Sequence, residues 1–154
     1  MSETLVHGLE DLFLSIAEKL AFLLGFPVGK ELAPSPGREW LKAEVAIHGD
    51  VEGRLSLVVP ADAATRMAAD IMGIEPEDLA DPALAADAVG ELLNVVAGHV
   101  ATALGGEEIG YSLSLPQVVT VAGADVARLL ERDDSLLFDI EGQPYLLVVE
   151  VVRK

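Results

Sequence analysis

Two alternating runs joined by a short turn leave residues 40–59 very few folds to choose from. Leu41, Ala43, Val45 and Ile47 fall on one side of an extended chain, with Lys42 and Glu44 on the other. Gly49 and Asp50 supply the turn, and Val51, Leu55, Leu57 and Val59 resume the alternation. Strand side chains point to opposite faces with a period of two, so the pattern predicts an antiparallel hairpin with an apolar face that something must cover. Stretches of helical period supply the cover. Residues 4–24 place Leu5, Leu9, Leu12, Phe13, Ile16, Leu20 and Leu24 three or four apart, between a capping Ser2 or Thr4 and the stop signals Gly25 and Pro27. Residues 61–72 carry Ala64, Met67, Ala68 and Ile71 on one stripe, from Asp62 to the terminating Gly73. A third helix is expected from Pro82, with Asp81 as its cap, to Leu104 before Gly105 and Gly106.

The remaining segments complete the architecture. Residues 33–37, with two prolines and a glycine, suit neither a helix nor a sheet interior and are read as a loop, as is the acidic stretch 75–81. Residues 109–122 predict a strand broken at Pro116, and residues 136–140 and 145–152 a second hairpin turning at Glu141, Gly142 and Gln143. Residues 124–130 fit a helical turn or a loop equally well. The sum is an α+β domain spanning 1–154, a mostly antiparallel sheet with helices packed on one face. With 154 residues, 51% of them hydrophobic, the chain can bury a real core. The valine-rich last strand is expected at a sheet edge, where it could pair with a second copy of the chain.

Charge and composition remove whole classes of function. The formal charge is −16, from 26 acidic and 10 basic side chains, so the summed field repels nucleic acid and anionic membrane surfaces. There is no cysteine, hence no disulfide, thiolate metal site or cysteine nucleophile. His7, His48 and His99 are scattered, which disfavours a histidine metal centre. No basic stretch precedes an apolar segment near Met1, and no apolar run approaches the roughly 18 to 20 residues that span a bilayer; a cytoplasmic protein is expected.

The third helix carries the residues of chemical interest. Projected at about 100° per residue, Ala85, Val89, Leu92, Leu93, Val96, Val100 and Ala103 form a core-facing stripe. Asp87, Glu91, Asn94 and Gly98 cluster almost opposite it and face outward together. This face costs the helix stability. Asp87 and Glu91 repel at i,i+4, and Gly90 and Gly98 each cost about 1 kcal/mol relative to alanine. Asn94 is the only asparagine in the chain, and no Lys or Arg lies between Ala83 and Leu104 to neutralise Glu91. Periodicity alone leaves several readings open: a merely solvated polar face, interior glycines that let another helix of the same fold pack closely, or an acidic and amide surface that receives a cation from another molecule. A metal site on Asp87, Glu91 and Asn94 is disfavoured, because one helix face rarely supplies enough ligands. No local nucleophile, base and orienting group come together, and Gly105 and Gly106 lack the spacing and lysine of a phosphate-cradling loop.

The pattern Asp87-x-x-x-Glu91-x-x-Asn94, with Pro116 on the next strand, resembles the signature of the CheC/CheX chemotaxis phosphatases, and is closest to the CheX type. The likeness covers about residues 45–122, including the strand from Val51 to Leu55, the helix end at Met72 and Gly73, and the segment from Ser114 to Val119. CheC proteins resemble two copies of the motif. Here neither Glu10 nor Glu18 is followed three residues on by asparagine, so a single active surface is implied. The resemblance implies dephosphorylation of a phosphorylated CheY-like receiver domain, with Asn94 orienting the attacking water and Glu91 pairing with a receiver lysine. It further implies a homodimer with paired edge strands. On that reading the position of Gly90 and Gly98 makes them openings that let the partner's backbone approach, Asp87 either steers partner residues or simply continues the polar face, and Pro116 shapes the strand supporting the helix. No cofactor or metal would be bound by this chain; Mg²⁺ is expected in the receiver. A non-catalytic receiver-binding module is the alternative function.

Overall fold

A computed structural model describes residues 2–30, 38–105 and 110–153. The loop read at residues 33–37 and the expected start of a strand at Ile109 lie outside them. The hairpin forms as the alternation requires. Strands β2 (Trp40–Gly49) and β3 (Val51–Pro60) pair from Trp40 opposite Pro60 to Ile47 opposite Gly53. They sit within a seven-stranded antiparallel sheet together with β1 (Gly25–Val28), β4 (Tyr111–Leu113), β5 (Gln117–Val121), β6 (Ser135–Ile140) and β7 (Gln143–Arg153). The strand order is β1-β6-β7-β3-β2, and β4 and β5 share the outer side of β2.

Three helices cover one face of this sheet: α1 (Glu3–Ala21), α2 (Ala61–Met72) and α3 (Ala83–Gly105). Phe13, Ile16, Met67, Val89, Leu93 and Val96 meet Ala43, Val45, Leu55, Leu57, Phe138 and Leu147 in the main core. The α+β class is as expected, a mostly antiparallel sheet with its long helices on one face. Residues 124–130, ambiguous in sequence, belong to a short fourth helix, α4 (Gly123–Leu130), on the reverse face. There Val126 and Leu130 cover Trp40, Val58, Leu137, Leu146 and Val148, the opposite-parity positions of their strands.

Two expectations about the chain ends need correction. The last strand is not at an edge: β7 runs between β6 and β3 through Val148, and only its final residues pair with β3 alone. The physical reason is visible in its sequence, because Tyr145 to Val149 are all buried, and an unbroken apolar run suits a strand covered on both faces. The edges are β1 on one side and β4 with β5 on the other. Helix α1 also stops earlier than Gly25. Ser2 caps its start by accepting from the Leu5 amide at 3.2 Å, but Phe22 takes the left-handed conformation and closes it, so Leu24, expected on the apolar stripe, is 60% exposed. Gly25 instead opens β1, an edge strand that tolerates Pro27.

By length and composition α3 would pass for a membrane-spanning helix, with mean hydropathy 1.3 over an 18-residue window. Half of that window is buried within the domain, which accounts for its apolarity.

Candidate functional site

Helix α3 is anchored where the sequence places its start, with the Asp81 carboxylate accepting from the Ala83 amide at 2.9 Å. From there Ala85, Val89, Leu92, Leu93, Val96 and Val100 point into the core as projected. The buried arc is wider than the projection and rotated, however: Gly90, Ala97 and Ala101 are also buried, and Ala103 is exposed. The cause is β5 and the turn before it, which close over the Gly90 side of the helix.

Asp87 and Glu91 remain exposed and Asn94 is half-buried at the rim of the arc. Among the described residues, none of these three side chains has a hydrogen-bond or ion-pair partner. The outward cluster therefore exists, with its carboxylates and amide uncommitted. Gly98 shares it. A methyl at Gly98 would come no closer than 3.9 Å to Leu113 or the Tyr111 hydroxyl. The Gly98 carbonyl accepts from Thr102 at 3.1 Å and from Tyr111 at 3.4 Å.

Gly90 is not an opening toward a partner. It is buried, and a Cβ there would lie 3.1 Å from Pro116 Cβ and 3.5 Å from Val118 Cγ2. The glycine lets the Pro116 turn press against α3 within this chain. Pro116, lacking an amide hydrogen, interrupts the edge between β4 and β5 as predicted. Ser114 bridges the interruption: its amide donates to the Ala46 carbonyl, and its hydroxyl accepts from the Ala46 amide at 2.9 Å. The turn leaves Leu115 86% exposed beside the site.

Two depressions flank the outward face. On the Glu91 side, a groove of about 210 Å³ runs between α2 and α3, lined by Ile71, Met72, Leu84 and Ala88 with Asp87 and Glu91. On the Asn94 side, a larger one of about 540 Å³ is lined by Val95, Gly98, His99, Thr102, Tyr111 and Leu113 with Asn94. No Lys or Arg lines either. The α2 side is not apparent from the helical stripe, which places Ile71 toward the core, whereas it is 41% exposed. Its signal was the adjacent pair Ile71 and Met72, two large apolar side chains in the last turn before the terminating Gly73. A further cleft, of about 1000 Å³, lies elsewhere, between Phe22, Arg66, Asp70, Glu75 and Glu141, and no residue of α3 lines it. Among the described residues no three His, Asp or Glu side chains are grouped to hold a metal ion.

Such a face can position groups and accept a cation, but it carries no nucleophile. Residues 42–140 match the family model described as chemotaxis phosphatase CheX. Among proteins with curated descriptions, none matches. Among solved structures, the crystal structure of a CheX-CheY-BeF3-Mg²⁺ complex from Borrelia burgdorferi superposes with a TM-score of 0.68 at 18% identity, covering 95% of this chain and 96% of that one. A chemotaxis protein CheX from Desulfovibrio desulfuricans gives 0.68 at 17%, covering 98% and 99%. Chemotaxis protein CheX from Vibrio vulnificus gives 0.70 at 16%, covering 98% and 97%. At such identities these structures speak for the fold, while the family match spans well over half of the sequence and includes the whole outward face of α3 as far as Gly98. The chain belongs to the CheX family of chemotaxis phosphatases.

Proposed function

We propose that this chain hydrolyses the aspartyl-phosphate of a CheY-like receiver domain, with Asn94 and Glu91 as its catalytic residues. The observation that carries the reading is the pairing of an exposed carboxylate and a rim amide on one helix, both uncommitted among the described residues. In the reaction a water oxygen bonds to phosphorus as the bond from phosphorus to the receiver's aspartyl oxygen breaks, releasing phosphate and restoring the carboxylate. No bond to this chain forms, so the absence of a nucleophile on the face is no obstacle. Phosphoryl transfer of this kind needs positioning and charge stabilisation above all. Asn94 holds the water in line through its side-chain amide, and Glu91 accepts a receiver lysine. The receiver supplies Mg²⁺, in keeping with the Mg²⁺ in the Borrelia burgdorferi CheX-CheY complex. Asp87, one turn before Glu91, adds negative potential that steers the basic partner group. Gly98 keeps the far end of the face low, and Pro116 holds α3 against β5. Assembly as a homodimer through edge strands would use β1 or the β4 and β5 side; light scattering reads the stoichiometry.

The test is phosphate loss from purified receivers of the same genome, each phosphorylated with a small phosphodonor, with and without this chain. The chain accelerates loss from at least one, and Glu91→Ala raises the receiver concentration needed for half-maximal rate. If no receiver is dephosphorylated faster than it loses phosphate alone, the reading fails.

A further inference from the structure

The groove between α2 and α3 includes Glu91 of the proposed catalytic pair in its lining, and its chemistry is asymmetric. Ala68, Ile71, Met72, Leu84 and Ala88 form its apolar lining, and Asp87 and Glu91 are the polar residues on its rim. Ile71 and Met72 are 41% and 51% exposed, although both are large and apolar. They are held there by the helix end. Gly73 takes the left-handed conformation that closes α2, its amide donating to the Asp70 carbonyl, and Ile74 turns back to donate to the Ala69 carbonyl. The last turn of α2 therefore stands beside α3 with its apolar side chains uncovered.

We infer that this groove is a docking slot for one apolar side chain of the receiver, carried next to the basic residue that pairs with Glu91. The inference rests on the proposed function and specifies how the partner is chosen. Three observations select this occupant. The volume, about 210 Å³, is below the roughly 300 to 1,000 Å³ of small-molecule sites and suits a single side chain. The rim carries two carboxylates that, among the described residues, have no cationic partner, so it complements a segment bearing positive charge. Glu91 belongs both to the rim and to the proposed catalytic pair, so a partner that reaches Glu91 covers the groove in the same approach. An apolar anchor inside a charged rim is the arrangement by which interfaces concentrate affinity. Ile71 and Met72 thus act as specificity residues without touching the reacting phosphorus.

The experiment uses the full chain and receivers loaded with beryllofluoride and Mg²⁺. A benzophenone amino acid at position 71 is expected to cross-link to the receiver that the chain dephosphorylates, whereas the same group at the exposed position 22, beside the large cleft, does not. Ile71→Ser with Met72→Ser is expected to raise the half-saturating receiver concentration about tenfold while the rate at saturation stays within about twofold. Cross-linking of position 71 to a second copy only, or an unchanged half-saturating concentration in the double variant, overturns the inference. If the chain dephosphorylates no receiver, the proposed function fails, while cross-linking and a binding titration against the loaded receivers still decide the slot. Circular dichroism checks that the double variant is folded.

Discussion

Replacing the two interior glycines of α3 by alanine, one at a time, should move stability in opposite directions. In an exposed helix interior, alanine is favoured over glycine by about 1 kcal/mol, because glycine surrenders more backbone freedom on folding. At Gly98 that gain is kept, since the new methyl meets nothing closer than 3.9 Å. At Gly90 the methyl would sit 3.1 Å from Pro116 Cβ, 3.5 Å from Val118 Cγ2 and 3.7 Å from Pro116 Cγ. Pro116 is a rigid ring in a turn tied to β2 by both hydrogen bonds between Ser114 and Ala46, so it yields little. Overpacking of this kind costs about 1 to 3 kcal/mol. Taking about 2 kcal/mol against the gain of about 1, Gly90→Ala should destabilise by about 1 kcal/mol and Gly98→Ala stabilise by about as much. For a domain of this size each corresponds to a shift in Tm of about 2 to 4 °C, in opposite senses. Urea titrations with a shared slope, followed by circular dichroism, measure both. Function should separate them again. Gly90→Ala pushes α3 off β5 one turn before Asn94 and lowers the rate at saturating receiver, whereas Gly98→Ala places a methyl on the partner-facing side and weakens binding. Equal stabilisation by both alanines would show that the Pro116 turn does not press on α3, and would refute the reasoning.

Two further outcomes concern the scaffold. Ser114→Ala removes the hydroxyl that accepts from the Ala46 amide, and is expected to cost about 1 kcal/mol in the same titration, with the loss of amide protection concentrated at Ala46. Arg132 donates two hydrogen bonds to Asp134, and these, with its charge, hold the Asp134 carboxyl below the usual carboxylate range against the opposing effect of burial. A depressed folded-state pKa gives stability that is present above the unfolded value and lost as the pH falls through the folded one. Asp134→Asn should therefore destabilise the protein at pH 7 and make progressively less difference as the pH is taken below about 4, read from the denaturation midpoint at each pH.

What the sequence made legible follows from which physical signal each segment carried. The β2 and β3 hairpin was readable because one face is buried, which fixes the register and leaves a period of two. The break at Pro116 was readable because a missing amide cannot be hidden in a ladder. β1 was not, since a four-residue edge strand containing Pro27 has too few positions to show a period. The placement of β7 was misread because valine enrichment says strand, while an apolar run through both parities says centre. On α3 the projection found Asp87, Glu91 and Asn94 facing outward together; Asp87 and Glu91 are exposed, while Asn94 is half-buried at the rim. Gly90 is an opening for close packing within the fold rather than for a partner. What packs there is the turn before β5, not another helix, which a helical wheel cannot see because it holds only the helix's own geometry. The groove between α2 and α3 was invisible for the same reason: it arises from two helices meeting, with Ile71, Met72, Leu84 and Ala88 lining a gap that no single periodicity encodes.

The central claim is that Asn94 accelerates hydrolysis by placing water, while recognition rests on the rest of the face. Its most direct test is single-turnover loss of phosphate from the cognate receiver at saturating wild-type protein and at saturating Asn94→Ala, with affinity for the beryllofluoride-loaded receiver measured alongside. One positioned amide is worth about 1.5 to 4 kcal/mol of barrier. The variant should thus lose about 10- to 1,000-fold in rate and bind within about threefold of wild type. An Asn94→Ala protein that dephosphorylates the receiver as fast as wild type would contradict the account.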